Sequence, residues 1–253
     1  ELQPFPIVLA LEYKGHKDMI RTISSDKCGE YLASGSDDGT IKIWLINTGR
    51  CVKTIEIGQV VRSIEWSPNA SLPLIAAAST NRVLLINPQV GDPTTSTKTD
   101  TLLKEKVISD NITSERIKNT IVWSDVVEDD YKRGIRLLLT HNKEVTQVTW
   151  HAKGDYFASV MPEGSNSSVI ISQISKRKSQ IPFAKSKGLV QTVLFHPVKP
   201  YLFVATQRHI RVYNLVKQTL IKKLLSNSQW ISSMAIHPGG DNLLVGTYDR
   251  KVL

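Results

Sequence analysis

The 253-residue chain sets 32 Lys and Arg against 23 Asp and Glu, for a formal charge of +9, and 41% of its residues are hydrophobic. That composition supports a large core, yet no run approaches the roughly 18 consecutive apolar residues of a membrane span. Two cysteines, Cys28 and Cys51, suit a reducing compartment better than a disulfide scaffold.

In chain order, the first informative segment is Leu32-Ala-Ser-Gly-Ser-Asp-Asp-Gly-Thr-Ile-Lys-Ile-Trp44, preceded by Gly15-His16. An alternating run from Tyr31 to Ser34, the tight-turn pair Asp38-Gly39 and a second alternating run from Thr40 to Trp44 predict strand, hairpin and strand. Weaker copies follow, marked by Glu65-Trp-Ser-Pro-Asn69, Thr149-Trp-His-Ala-Lys-Gly-Asp-Tyr156, Leu194-Phe-His-Pro197 and Ala235-Ile-His-Pro-Gly-Gly-Asp241. With Ser25, Trp66, Trp150, Phe195 and Ile236 equivalent, the spacings are 41, 84, 45 and 41. A meander of about forty residues cannot bury both its faces alone and must stack on its neighbours, which predicts an all-β propeller.

The double-length gap means a decayed blade or an insertion. Residues 91–110 are rich in Thr, Ser, Asp and Lys, with neither a helical nor a strand period, which favours an insertion over 92–133. The expected blades are 13–55, 56–140 with the insertion, 141–184, 185–225 and a fifth from 226 to 253. The fifth stops within its third strand, so five blades are expected to be part of a longer propeller.

Charge is unevenly spread. From Gly164 to Gly240 there is no acidic residue, while eleven are Lys or Arg: Lys176, Arg177, Lys178, Lys185, Lys187, Lys199, Arg208, Arg211, Lys217, Lys222 and Lys223. Unopposed positive charge over two blades is what contact with a phosphate backbone or an acidic partner requires. We take Lys176, Arg177, Lys178, Lys185, Lys187, Arg208 and Lys217 as candidate contacts. Strand direction places Lys176–Lys178, Lys217 and the insertion on one face, and Lys185, Lys187 and Arg208 on the other face or the rim. The insertion-bearing face is the expected docking surface, with all three of Lys176, Arg177 and Lys178 exposed.

His16, Ser34 and Asp38 have the residue types of a hydrolase triad, but Ser34 lies within an alternating strand and no Gly-x-Ser-x-Gly elbow is present. The unit resembles a WD repeat, in which the matching His, Ser, Asp and Trp form a buried hydrogen-bond chain. Here that chain is Trp44, Ser34, His16 and Asp38, a structural set. The other four blades lack it, and are expected to rely on apolar packing. The histidines and cysteines have no metal-ligand spacing and no phosphate loop occurs, so no catalytic, metal or cofactor residues are assigned.

Beyond the generic repeat, several segments resemble the carboxy-terminal propeller of the Block of proliferation family of ribosome-biogenesis factors. They are Leu2-Gln-Pro-Phe-Pro6, Val145-Thr-Gln-Val-Thr-Trp-His151, Lys187-Gly-Leu-Val-Gln191, Val204-Ala-Thr-Gln-Arg208, Ile210-Arg-Val-Tyr213 and His237-Pro-Gly-Gly-Asp-Asn242. The resemblance implies a seven-bladed propeller and a non-catalytic, nucleolar scaffold. It also implies a complex with a Pescadillo-type protein and a second WD-repeat protein, acting on large-subunit pre-ribosomes to mature 28S/25S and 5.8S rRNA. The alternative is a WD-repeat adaptor for acidic or phosphorylated peptides, such as a ubiquitin-ligase substrate receptor or a signalling platform.

Overall fold

The computed structural model describes residues 8–104, 115–183, 188–225 and 230–253. Five antiparallel sheets follow one another along the chain. The first blade is β1 (Ile20–Ser25), β2 (Tyr31–Ser36), β3 (Thr40–Leu45) and β4 (Cys51–Glu56), paired in that order. The second has β5 (Val61–Trp66), β6 (Ile75–Ser79) and β7 (Arg82–Ile86). The insertion then supplies α1 (Pro93–Lys104), α2 (Glu115–Lys118), β8 (Ile121–Asp125) and α3 (Glu128–Arg133) before β9 (Ile135–His141). The sheet order β5-β6-β7-β9-β8 makes β9 the fourth strand and gives the insertion's own β8 a fifth position outside it.

The third blade is β10 (Gln147–Trp150), β11 (Tyr156–Val160), β12 (Val169–Gln173) and β13 (Lys178–Gln180). The fourth is β14 (Val190–Phe195), β15 (Tyr201–Thr206), β16 (His209–Asn214) and β17 (Thr219–Leu225). The fifth comprises β18 (Ile231–Ile236) and β19 (Leu243–Thr247), extended by the single bridge Gly246–Val252. The chain is thus an all-β, partial WD propeller.

Stacking explains why the strands read as apolar on both faces. In the second blade Ile75, Ala77, Leu84 and Ile86 pack with Ala33, Ile41 and Ile43 of the first. The intervening Ala76, Ala78, Val83 and Leu85 pack with Val148, Trp150 and Phe157 of the third. Period-two alternation therefore sends successive residues into two different cores rather than to core and solvent. Two further cores join the third blade to the fourth and the fourth to the fifth. Gly35 marks a close approach of blades one and two, since a Cβ there would lie 2.6 Å from Val61 Cγ1.

The innermost strands β1, β5, β10, β14 and β18 touch in sequence, and side chains satisfy their free backbone edges. The Thr22 hydroxyl accepts from Ile64 N at 3.1 Å and donates to Ile64 O at 3.3 Å. Two blades further on, Gln147 brackets Val193 in the same way, at 3.0 and 2.8 Å. Ser24 accepts from Trp66 N and Ser63 from Val148 N. Each polar side chain replaces a ladder bond that the splayed inner edges cannot make.

Turns joining first to second and third to fourth strands share one face, here called upper. There Ile46 N, Ile174 N and Leu215 N donate to Glu30 O, Asp155 O and Pro200 O respectively. The second-to-third turns lie on the lower face beside the connections between blades, as where Ile231 N donates to Gln207 O.

The segment 91–104 departs from the aperiodic reading, because α1 is a helix held by local chemistry rather than by an apolar stripe. Asp92 caps it, accepting from Thr94 N at 3.1 Å and Thr95 N at 3.2 Å, with Pro93 next in the first turn. Within α1 the hydroxyls of Thr97, Thr99 and Thr101 bond the carbonyls four residues back. The helix is fixed to blade two through Arg136, whose side chain is 2% exposed. Arg136 meets Asp100 at 2.6 and 3.1 Å, donates to Tyr131 O at 2.6 Å and lies 3.8 Å from the centre of the Tyr131 ring. Asn87 adds bonds to Ser96 O and Asp100.

Candidate nucleic-acid interface

The structure brings His16, Ser34, Asp38 and Trp44 together on the lower side of blade one. His16 Nδ1 lies 2.9 Å from Asp38 Oδ2, and His16 Nε2 lies 2.7 Å from Ser34 Oγ. Trp44 Nε1 donates to Ser34 Oγ at 2.8 Å. Asp38 also accepts from Lys17 N, Thr40 N and the Thr40 hydroxyl. Burial opposes ionisation of Asp38, but these bonds outweigh it and hold the carboxyl well below its ordinary range. Because an ionised carboxylate only accepts, Nδ1–H donates to Asp38 and Nε2 accepts the Ser34 proton. The His16 and Asp38 side chains are only 3% and 8% exposed, so the set links four segments of one blade and offers no nucleophile to a substrate.

The expectation that the other blades rely on apolar packing is incomplete, because a polar pair joins β9 of blade two to β11 of blade three. His141 Nε2 lies 2.9 Å from Ser159 Oγ, and both residues are buried. The eighteen-residue separation is that of His16 and Ser34, and this spacing was the overlooked signal. His141 Nδ1 faces Leu139 O at 3.3 Å instead of a carboxylate. Burial lowers the imidazole to about 4, which keeps it neutral. Among the described residues no group of three or more His, Cys, Asp or Glu could hold a metal ion, and no helix is long and apolar enough to cross a membrane.

The candidate basic residues divide between the faces. Lys176 and Arg177 occupy the β12–β13 turn, Lys178 starts β13, and Lys217 sits in the β16–β17 turn, all toward the upper face. Arg208 is exposed in the β15–β16 turn on the lower face. Lys185 and Lys187 lie outside the described residues.

Arg177 corrects the expectation of three exposed cations. Its guanidinium donates to Leu103 O at 2.6 Å, capping the carboxyl end of α1, and to Asp125 Oδ1 at 3.0 Å. Trp123 of β8 adds a bond from Nε1 to Ser179 Oγ at 2.9 Å. The insertion is thereby fastened to blade three, and Arg177 is a clamp rather than a ligand-facing cation. Asp125, Glu128, Asp129 and Asp130 accompany it, so the upper face carries mixed charge.

The WD domain, G-beta repeat family matches residues 8–44 and 218–253. Across all 253 residues the chain is 60% identical to a protein of Aedes aegypti and 60% identical to one of Drosophila mojavensis, each named Ribosome biogenesis protein BOP1 homolog. A Culex quinquefasciatus protein of the same name is 61% identical over the same span. The chain belongs to the Block of proliferation WD-repeat family. It spans 29% of the length of the Aedes relative and 32% of the Drosophila one.

In this Block of proliferation segment one ionisable group stands out at the inner contact of blades two and three. Burial of Glu65 raises its carboxyl from about 4.5 to about 7, against the lowering effect of bonds from the Thr149 hydroxyl and the Trp150 amide. The folded state therefore holds this proton more tightly than the unfolded chain. Its contribution to stability is complete below pH 4.5 and is lost as pH rises through 7. Glu65→Gln should melt like the parent at pH 4.5 and be more stable by about 2 kcal/mol at pH 8. Parallel melting curves at both pH values would contradict this.

Proposed function

We propose that this segment is part of a non-catalytic scaffold for ribosome biogenesis, serving maturation of the 28S/25S and 5.8S RNAs of the large subunit. The observation that carries the reading is identity of about 60%, over all 253 residues of this chain, to relatives whose names state ribosome biogenesis. The stacked-blade architecture agrees with it, because its one complete His–Ser–Asp–Trp set is consumed in holding a blade together. The complete protein would work in the nucleolus and nucleoplasm, bound to a Pescadillo-type protein and a second WD-repeat protein. Pre-ribosomal RNA would meet the stretch 164–240, which has no carboxylate side chain.

Depleting the full-length protein should lower mature 28S/25S and 5.8S RNA relative to 18S RNA, with recovery on re-expression. Unchanged ratios on depletion would remove the ribosomal role.

A further inference from the structure

The clamp formed by Arg177 accounts for one member of the basic run Lys176-Arg177-Lys178. Lys176 and Lys178 are exposed, and the residue that follows them is Ser179. Three consecutive cations immediately before a serine are a charge pattern that the acidic substrate grooves of many protein kinases select. Ser179 lies in β13, a three-residue outer strand held to β12 through the pairs Ile171–Gln180, Ser172–Ser179 and Gln173–Lys178. An edge strand this short is among the first parts of a blade to open. The Ser179 hydroxyl is also one of the points that fasten the insertion. Trp123 Nε1 of β8 donates to it at 2.9 Å, and the buried Ser172 hydroxyl lies 2.9 Å from it on the other side.

We propose that Ser179 is a phosphorylation site and that its modification releases the insertion from blade three. The phosphoryl group comes from a nucleoside triphosphate held by a serine kinase. Ser179 Oγ bonds the γ-phosphorus as the β–γ bridging P–O bond breaks, the nucleoside diphosphate leaves, and the hydroxyl proton passes to the kinase's catalytic carboxylate. The product carries a charge of about −2 where a neutral hydroxyl met the Trp123 indole. It stands on the side that faces Asp125 and the acidic first turn of α3, Glu128-Asp129-Asp130, so like charges push the insertion away. Two residues before it, the Arg177 guanidinium is drawn to the phosphate in competition with Asp125 and the Leu103 carbonyl. One modification thus acts on both fastenings. Because Arg177 is engaged in the closed state, a kinase reads the complete basic run when the insertion has let go. Phosphorylation selects the released state and then holds it.

The test treats the full-length protein with ATP and a purified kinase that selects basic residues before serine, and locates the phosphate by mass spectrometry. Phosphate should appear on Ser179. Lys176→Gln with Lys178→Gln, at exposed positions outside the clamp, should slow its incorporation about tenfold. Trp123→Phe, which removes the bond to Ser179 without adding charge, should speed incorporation severalfold. A dilute protease should cut the phosphorylated protein within 92–133 about tenfold faster than the untreated protein, and the kinase should bring no such increase to Ser179→Ala. A synthetic peptide of residues 174–183 is treated in parallel. If the peptide takes phosphate but Ser179 of the parent and of Trp123→Phe does not, the fold closes the site and the proposal is wrong. If the peptide takes none either, the basic run is no kinase motif and the proposal falls with it. If Ser179 is phosphorylated and cleavage within 92–133 is unchanged, the insertion is not released and the proposal is overturned.

Discussion

Asp100→Ala should destabilise the propeller by about 3 kcal/mol, read as a lower midpoint in denaturant titration. The change leaves the Arg136 guanidinium, 2% exposed, without its carboxylate and, among the described residues, with the Tyr131 and Ile135 carbonyls as its hydrogen-bond acceptors. Removing one member of a buried pair typically costs about 3–5 kcal/mol, and the 19% exposure of Asp100 places this case at the lower end. Asn87 loses its bond to Asp100 in the same step. Because Asp100 sits on α1, the insertion should also become cleavable by protease before the blades unfold. Arg136→Met added to Asp100→Ala should recover part of the loss, since no unpaired charge then remains buried. Parental stability of Asp100→Ala would show that the pair does not anchor the insertion.

Asp38→Ala should cost a comparable amount, about 3 kcal/mol, because four donors lose their acceptor together: Lys17 N, Thr40 N, the Thr40 hydroxyl and His16. Trp44→Phe removes a single bond, from Nε1 to Ser34, and should cost about 1–2 kcal/mol. This ordering separates a connected network from independent contacts. Asp38 ionises below its ordinary range when folded, so its contribution is present above that range and disappears as the pH falls through the folded value. Parental thermal stability of both variants would show that the chain of bonds does not form in solution.

The turns and strands of blade one were legible because Asp38-Gly39 and the flanking alternation act locally, and they correspond to β2 and β3. The same local logic identified His16, Ser34, Asp38 and Trp44, whose spacing follows a known repeat. His141 and Ser159 were missed because His141 Nδ1 faces the Leu139 carbonyl instead of a carboxylate, which leaves the eighteen-residue spacing as the sign of the pair. Helix α1 was missed because periodicity looks for an apolar stripe. Thr99 and Leu103 are its buried residues, and its strongest sign was the Asp92-Pro93 cap. The role of Arg177 could not be read at all, since Leu103 and Asp125 lie 74 and 52 residues away in sequence. Charge counting located the basic region, whereas only the ladder register pairs Arg211 with Lys223.

The scaffold role is tested most directly by sedimenting the endogenous full-length protein through a density gradient at near-physiological salt. The account predicts co-migration with large-subunit precursor RNA, and a shift toward slowly sedimenting fractions when that RNA is digested or the salt is raised. Sedimentation apart from precursor RNA, unchanged by nuclease and by salt, would contradict it.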